Sequence, residues 1–237
     1  MKQYQLVLLF SLLLGFSLNS KAWAQEELIH QNVAEDTLNA YKGAAAKKFG
    51  YLCFYTGFTL PDAQLKLMQS NEFGMAFIKK IKLGKVFSIG SDYYFSYRNY
   101  RIADTSYYLF PPGSTLVKER MYTRNAGVKP WVRINFGKQN TSLGTYLDLG
   151  LTGEWSFSRI HLYKFQNPPG SPEGEMGIYK MKKMDWFAPL NYGFFARVGV
   201  KHWSVFVNYR WSSLFKSNPY FTNFTPLTAG IQYALHN

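Results

Sequence analysis

Cysteine is nearly missing: Cys53 is the single one in 237 residues. No disulfide can form within the chain, so its stability has to come from elsewhere. Acidic residues are scarce as well, with 14 Asp and Glu against 27 Lys and Arg, for a formal net charge of +13. Beyond the first stretch of the chain there is no apolar run long enough to cross a bilayer as a helix. Any membrane-resident form must therefore cross with strands, because only helices and closed barrels satisfy their backbone groups in hydrocarbon. Phosphate-binding loops and paired-carboxylate motifs are absent too, and His30, His161, His202 and His236 show no metal-ligand spacing. No metal, cofactor or catalytic group is expected.

What is present begins with a leader. Met1 to Ala24 carries Lys2, an apolar core from Leu6 to Phe16 and an Ala22-Trp23-Ala24 cleavage pattern, which reads as a cleaved export signal. Gln25, not cysteine, follows the expected cut, so a lipid-anchored N-terminus is not expected. Lys2 and Lys21 leave with the signal and the remaining chain is still basic. Such a balance often marks a nucleic-acid partner. Export argues against that and leaves anionic lipid head groups or acidic polysaccharide. Residues 25–50 lack period-two alternation and read as a periplasmic linker or short helix, and residues 51–237 form one all-β domain.

The stretch Gly144 to Arg159, GTYLDLGLTGEWSFSR, separates two chemistries at a period of two. Leu147, Leu149, Leu151, Trp155 and Phe157 share one face; Tyr146, Asp148, Thr152, Glu154, Ser156 and Ser158 share the other. Eight such strands are expected, over roughly 51–60, 71–83, 85–102, 118–137, 144–163, 188–200, 203–215 and 225–236. Short connections at 83–84, 137–143 and 201–202 alternate with long ones at 61–70, 103–117, 164–187 and 216–224. That rhythm predicts an eight-stranded antiparallel up-and-down transmembrane β-barrel with short periplasmic turns and long extracellular loops.

A soluble barrel would alternate too, with its apolar residues inward, so the choice of medium rests on three features. The polar faces carry both signs of charge, Asp92, Asp148 and Glu154 against Arg98, Arg133, Arg197 and Arg210, which suits a narrow lumen closed by paired ions. Trp203 and Tyr233 fall toward the turn side of the apolar faces and Tyr97, Trp155, Phe157, Tyr209 and Trp211 toward the loop side, as two aromatic girdles would. The strands also match the roughly 9 to 11 residues needed to cross a bilayer at a tilt. Outside the bilayer, Arg120, Arg124, Lys164, Lys180, Lys182 and Lys183 mark a basic rim suited to anionic lipid.

GTYLDLGLTGEWSFS, the preceding WVRINFGK, NYGFFARVG with VNYRWS, and the closing PLTAGIQYAL resemble the small outer-membrane β-barrel proteins of Bacteroidetes, the PorT-like family. The resemblance covers about Tyr51 to the C-terminus and implies a barrel in the bacterial outer membrane with no shared catalytic motif. The chain departs from many such barrels in ending Leu235-His236-Asn237 rather than on an aromatic. His202 and Ser204 have the His-x-Ser spacing of outer-membrane lipid A deacylases, but His202 is expected in a periplasmic turn and Ser204 in the lumen. The expected function is a non-enzymatic structural or accessory barrel. Its partners would be outer-membrane lipid, lipopolysaccharide included, and a larger transport or secretion complex; the alternatives are a narrow solute channel and an outer-leaflet lipid enzyme.

Overall fold

The computed structural model describes residues 47–60, 65–66, 69–102, 114–136, 143–168, 175–182, 184–216, 224 and 226–235. The chain divides into Met1–Ala40 and Tyr41–Asn237, and every described residue belongs to the second unit. The leader, most of the linker, Lys183 and the 137–142 connection therefore lie outside the described residues.

The described residues form nine strands: β1 (Lys48–Thr59), β2 (Asn71–Lys82), β3 (Phe87–Arg101), β4 (Thr115–Phe136), β5 (Thr145–Gln166), β6 (Met176–Lys182), β7 (Leu190–Val200), β8 (Trp203–Arg210) and β9 (Leu227–Leu235). The hydrogen-bonded order β4-β3-β2-β1-β9-β8-β7-β5, closed by a β4–β5 pairing, makes a ring of eight antiparallel strands. Each ring strand pairs with its neighbours in sequence except at the β1–β9 seam and at β5–β7, where the chain steps around β6.

β6 is the departure from expectation. Residues 164–187 were expected as a loop; instead β5 runs on to Gln166, and Met176–Lys182 folds back along Ile160–Gln166. Below that point the same edge of β5 is taken by β7, which pairs with Thr145–Trp155. β4, β5 and β6 thus continue beyond the ring as an outer sheet. Other boundaries shift as well: β1 starts at Lys48, ahead of Tyr51, β4 starts at Thr115, inside the loop expected over 103–117, and β8 stops at Arg210 rather than continuing to Phe215.

The two faces of the ring are inverted relative to a soluble protein. Asp148 and Arg133 are completely buried, while Phe95, Leu151 and Val205 on the outer face are each more than half exposed. Period-two alternation does this by sending successive side chains to opposite sides of the wall. In β5 the phase changes at an irregularity, where Arg124↔Ser158 is followed by Asn125↔Ser156 and Phe157 has no partner of its own. A bulge of this kind shifts the side-chain phase by one. It turns Ser158 outward, against the inner placement expected of it, and turns Arg159 inward, where Nη1 donates to the Phe187 carbonyl at 2.8 Å.

The interior is filled in two layers. Tyr51, Cys53, Tyr55, Ile78, Tyr94, Trp131, Tyr146, Phe195 and Phe206 form a core inside the ring. Leu65, Tyr100, Ile102, Met121, Met184, Phe187, Leu214, Phe215 and Phe224 form a second apolar core at the outer end. Bridges Leu65↔Ile102 and Phe187↔Phe215 tie that cap together.

Candidate functional site

The inner wall makes room for large rings by placing glycine directly across from them. Tyr55 lies opposite Gly74, Tyr94 opposite Gly127, Trp131 opposite Gly90 and Tyr146 opposite Gly199. A Cβ at any of these four glycines would run into the ring of its partner. Aromatic side chains therefore lie flat across the bore, and the charged residues are threaded between them.

The charges form two clusters. Toward the turn end, Asp148 receives both guanidiniums: Arg133 Nε donates to Oδ1 at 2.6 Å and Arg197 Nε donates to Oδ2 at 2.8 Å. Arg197 Nη1 also donates to Asp92 Oδ2 at 2.7 Å and to Gln232 Oε1 at 3.1 Å, and Trp131 Nε1 donates to Asp92 Oδ1 at 2.6 Å. The Arg133 guanidinium sits 3.6 Å from the centre of the Tyr146 ring. Toward the loop end, Arg98 bridges two carboxylates, Nη1 donating to Glu154 Oε1 at 2.8 Å and Nη2 to Glu72 Oε2 at 3.0 Å. The Tyr94 hydroxyl donates to Glu154 Oε2 at 3.1 Å.

Between the clusters stands Lys129, buried, with Nζ 4.5 Å from the centre of Tyr94 and 5.2 Å from that of Tyr55. Rings replace a direct ion pair here, an arrangement favoured when the cation is desolvated. Glu72, Asp92, Asp148 and Glu154 thus lie among Arg98, Lys129, Arg133 and Arg197, and a fifth buried cation, Lys80, stands toward the turn end with Nζ 5.9 Å from the centre of the Phe49 ring. Buried charges are tolerable only when compensated in this way.

The structure brings Asp92, Arg98, Arg133, Asp148, Glu154 and Arg197 into these clusters. Arg210 stands apart: it makes no ion pair among the described residues and donates instead to the Tyr100 hydroxyl at 3.3 Å and the Phe224 carbonyl at 2.9 Å, under the cap. Glu72 and the inward rings of Tyr55, Tyr94 and Trp131 were not expected, whereas Tyr146 was placed on the polar face and Lys129 was in phase with it without being counted among the lumen charges. Glu72 sits on β2, whose NEFGMAFIKKIK alternates too irregularly for its phase to be read. Tyr55, Tyr94 and Trp131 look like lipid-facing residues by hydropathy alone, whereas the phase shared with Asp148 already set Tyr146 inward.

Little space remains. One internal cavity of about 10 Å³ lies between Lys129, Asp92, Arg197 and Gln232, and another of about 40 Å³ between Arg98, Lys129, Arg210 and Asn208. A site for one water needs roughly 10–15 Å³, so the smaller of these two cavities has room for about one water.

Tyr97, Trp155, Phe157, Trp203, Tyr209, Trp211 and Tyr233 all lie exposed on the outer surface. Trp203 and Tyr233 pair at 4.8 Å beside the 201–202 turn, at the opposite end of the ring from Trp155, Phe157, Tyr209 and Trp211. His202 lies in that turn, with Nδ1 3.1 Å from the Ala234 carbonyl, while Ser204 is buried in the wall. A further histidine cluster lies in the cap: His161 Nε2 is 2.7 Å from Glu119 Oε1 and Nδ1 is 3.0 Å from the Tyr163 hydroxyl. Burial, and then the Glu119 carboxylate, push the Tyr163 phenol above its usual range, so its hydroxyl stays a donor. Both ring nitrogens of His161 are engaged, which makes the cluster a strut within the cap.

Of the basic rim, Arg124 is exposed at the level of Tyr97, its cross-strand partner. Arg120 and Lys164 lie partly exposed on the outer sheet, and Lys180 and Lys182 lie exposed on β6. Among the described residues of the outer portions of these strands, Thr115–Thr123, Arg159–Gln166 and Met176–Lys182, the one carboxylate is Glu119, and it points inward to His161.

No protein-family model matches the chain, and no characterised protein sequence matches it. Among solved structures it is similar to Ail, the attachment invasion locus protein of Yersinia pestis. One Ail crystal structure, in complex with the heparin analogue sucrose octasulfate, has 9% sequence identity and a TM-score of 0.32, covering 79% of this chain and 94% of that one. A second has 10% identity and a TM-score of 0.31, covering 79% and 95%.

Proposed function

We propose that this chain spans the bacterial outer membrane as a plugged, non-enzymatic barrel. It is a structural or accessory component that carries a basic sheet outside the bilayer. The observation that carries this reading is the inversion of the ring: an apolar belt on every strand, edged by aromatic rings at both ends, around an interior of paired ions. A continuous exposed apolar surface of this extent marks contact with a membrane or partner, and aromatic rings at both edges favour the membrane. Closure of the bore by Arg133, Asp148, Arg197 and Asp92 supports a plug over a channel. The export signal and the resemblance to PorT-like barrels point to the outer membrane of a bacterium and to work beside a larger transport or secretion complex. Arg120, Arg124, Lys164, Lys180 and Lys182 suit anionic lipid of the outer leaflet, lipopolysaccharide included, as a partner.

Purified protein reconstituted into planar bilayers is expected to insert without stable conductance steps. Reproducible open-channel currents from the inserted protein would replace the plug with the channel reading.

A further inference from the structure

The outer sheet sets like charges face to face. Arg101 on β3 is the direct cross-strand partner of Arg120 on β4, and Lys118 on β4 is the direct partner of Lys164 on β5. All four share the outward face, because Glu119, Met121 and Thr123 between and beside them are buried on the other side. Like charges directly opposite on one face of an antiparallel pair are destabilising. Here two such pairs are stacked two residues apart along β4, with no carboxylate on their face among the described residues.

Arg120 Nε is buried without a hydrogen-bond partner. Burial, and then the neighbouring Arg120 guanidinium, pull the Arg101 guanidinium below its usual range. An anion seated between the cations would relieve both the repulsion and the orphaned donor. Guanidinium groups bind phosphate oxygens in a bidentate fork, which makes phosphate the natural occupant of the Arg101–Arg120 pair.

Height decides the source of the phosphate. Arg120 lies four residues beyond Arg124, which sits level with Tyr97 in the aromatic girdle. At about 3.3 Å per residue and a tilt of about 40°, that is roughly 10 Å above the girdle. The head-group zone of an ordinary bilayer is only about 5–8 Å thick on each side. The arginine pair therefore stands just above that zone and the lysine pair higher still, where only a lipid with a tall saccharide head presents charge.

Building on the proposed membrane placement, we infer that Arg101, Arg120, Lys118 and Lys164 form a two-level clamp for a glycolipid whose saccharide head carries at least two phosphates. The test uses the full-length mature protein in nanodiscs containing a bisphosphorylated glycolipid, with its enzymatically dephosphorylated form as control. Wild type is expected to retain the phosphorylated lipid through purification by native mass spectrometry and to lose it at least tenfold with the dephosphorylated form. The double variants Arg101→Gln/Arg120→Gln and Lys118→Gln/Lys164→Gln are each expected to bind at least tenfold more weakly. Without glycolipid these variants should melt above wild type, because the repulsion is gone; with it, they should melt below. Equal retention by wild type and both variants overturns the clamp, as does a lower melting temperature of the variants without lipid. Equal binding of a soluble sugar bisphosphate overturns the lipid source. Membrane insertion is scored in the same samples: a variant that inserts but sheds glycolipid reports on the clamp, whereas a wild type that fails to insert removes the membrane reading and the clamp with it.

Discussion

Asp148 is the residue on which the interior most depends, since it alone accepts from both Arg133 and Arg197. Its removal leaves the buried Arg133 guanidinium with no carboxylate and only the Tyr51 hydroxyl to donate to, and Arg197 with Asp92 alone; breaking a buried pair typically costs about 3–5 kcal/mol. Asp148→Ala is expected to lower the urea midpoint by a matching amount in vesicle-based unfolding followed by tryptophan fluorescence; a shift below about 1 kcal/mol would show that water substitutes for the carboxylate. The phase of the alternation made Asp148, Arg133 and Arg197 legible as members of one inner face. It could not reveal who pairs with whom, because Arg197 joins Asp92 across 105 positions of sequence, and that contact depends on ring closure. Lys129 illustrates the other limit: it was in phase with the inner face, yet its partners are rings, and no charge pattern along the chain announces them.

Among the elements, the glycine-to-ring pairs explain how strands rich in Tyr and Phe close around so narrow a bore. Gly74→Ala would push a methyl group into the Tyr55 ring, whereas nothing lies within 4 Å of a Cβ at Gly84 in the β2–β3 turn. Overpacking of this kind costs typically about 1–3 kcal/mol, so Gly74→Ala should destabilise by that order and Gly84→Ala should be near neutral in the same urea assay. Equal effects would mean that the wall breathes enough to absorb the methyl group. β6 was missed for a related reason. Past Phe157 the phase of β5 slips at the bulge, and outward positions become Ile160, Leu162 and Lys164, mixing apolar and cationic residues where the belt had been uniformly apolar. Without a constant medium outside, the alternation loses its contrast. MGIYKMK then offers only one short cycle of pattern, too little to separate a strand from a loop.

For the molecule as a whole, the eight ring strands follow the expected segments closely because one physical rule, two faces in two media, acts on each of them. The cap and the outer sheet obey no such rule, and their apolar and basic residues looked like loop decoration. The two-ended girdle gives a global test. Single-tryptophan variants retaining Trp155, Trp203 or Trp211 in bilayers with brominated acyl chains should be quenched most by bromines near the head groups. A variant retaining only Trp131, whose indole lies in the lumen, should be quenched least. Strong quenching of Trp131 would place the ring's inner face in lipid and reverse the assignment of its sides.

The seam between β1 and β9 has a kinetic meaning. Neighbouring strands elsewhere in the ring lie close in sequence, so hairpins can form early at little loop-closure cost. The seam instead joins Leu52–Thr59 to Thr228–Leu235, nearly the full length of the ring apart. Until it zips, both edges expose unpaired amides, which hydrocarbon does not tolerate. Assembly in the membrane should therefore end at this seam. The edges of β1 and β9 are where an insertion machine would have to hold the chain open, and the last hydrogen bonds to appear in exchange experiments should be those between Cys53 and Ala234 and their neighbours.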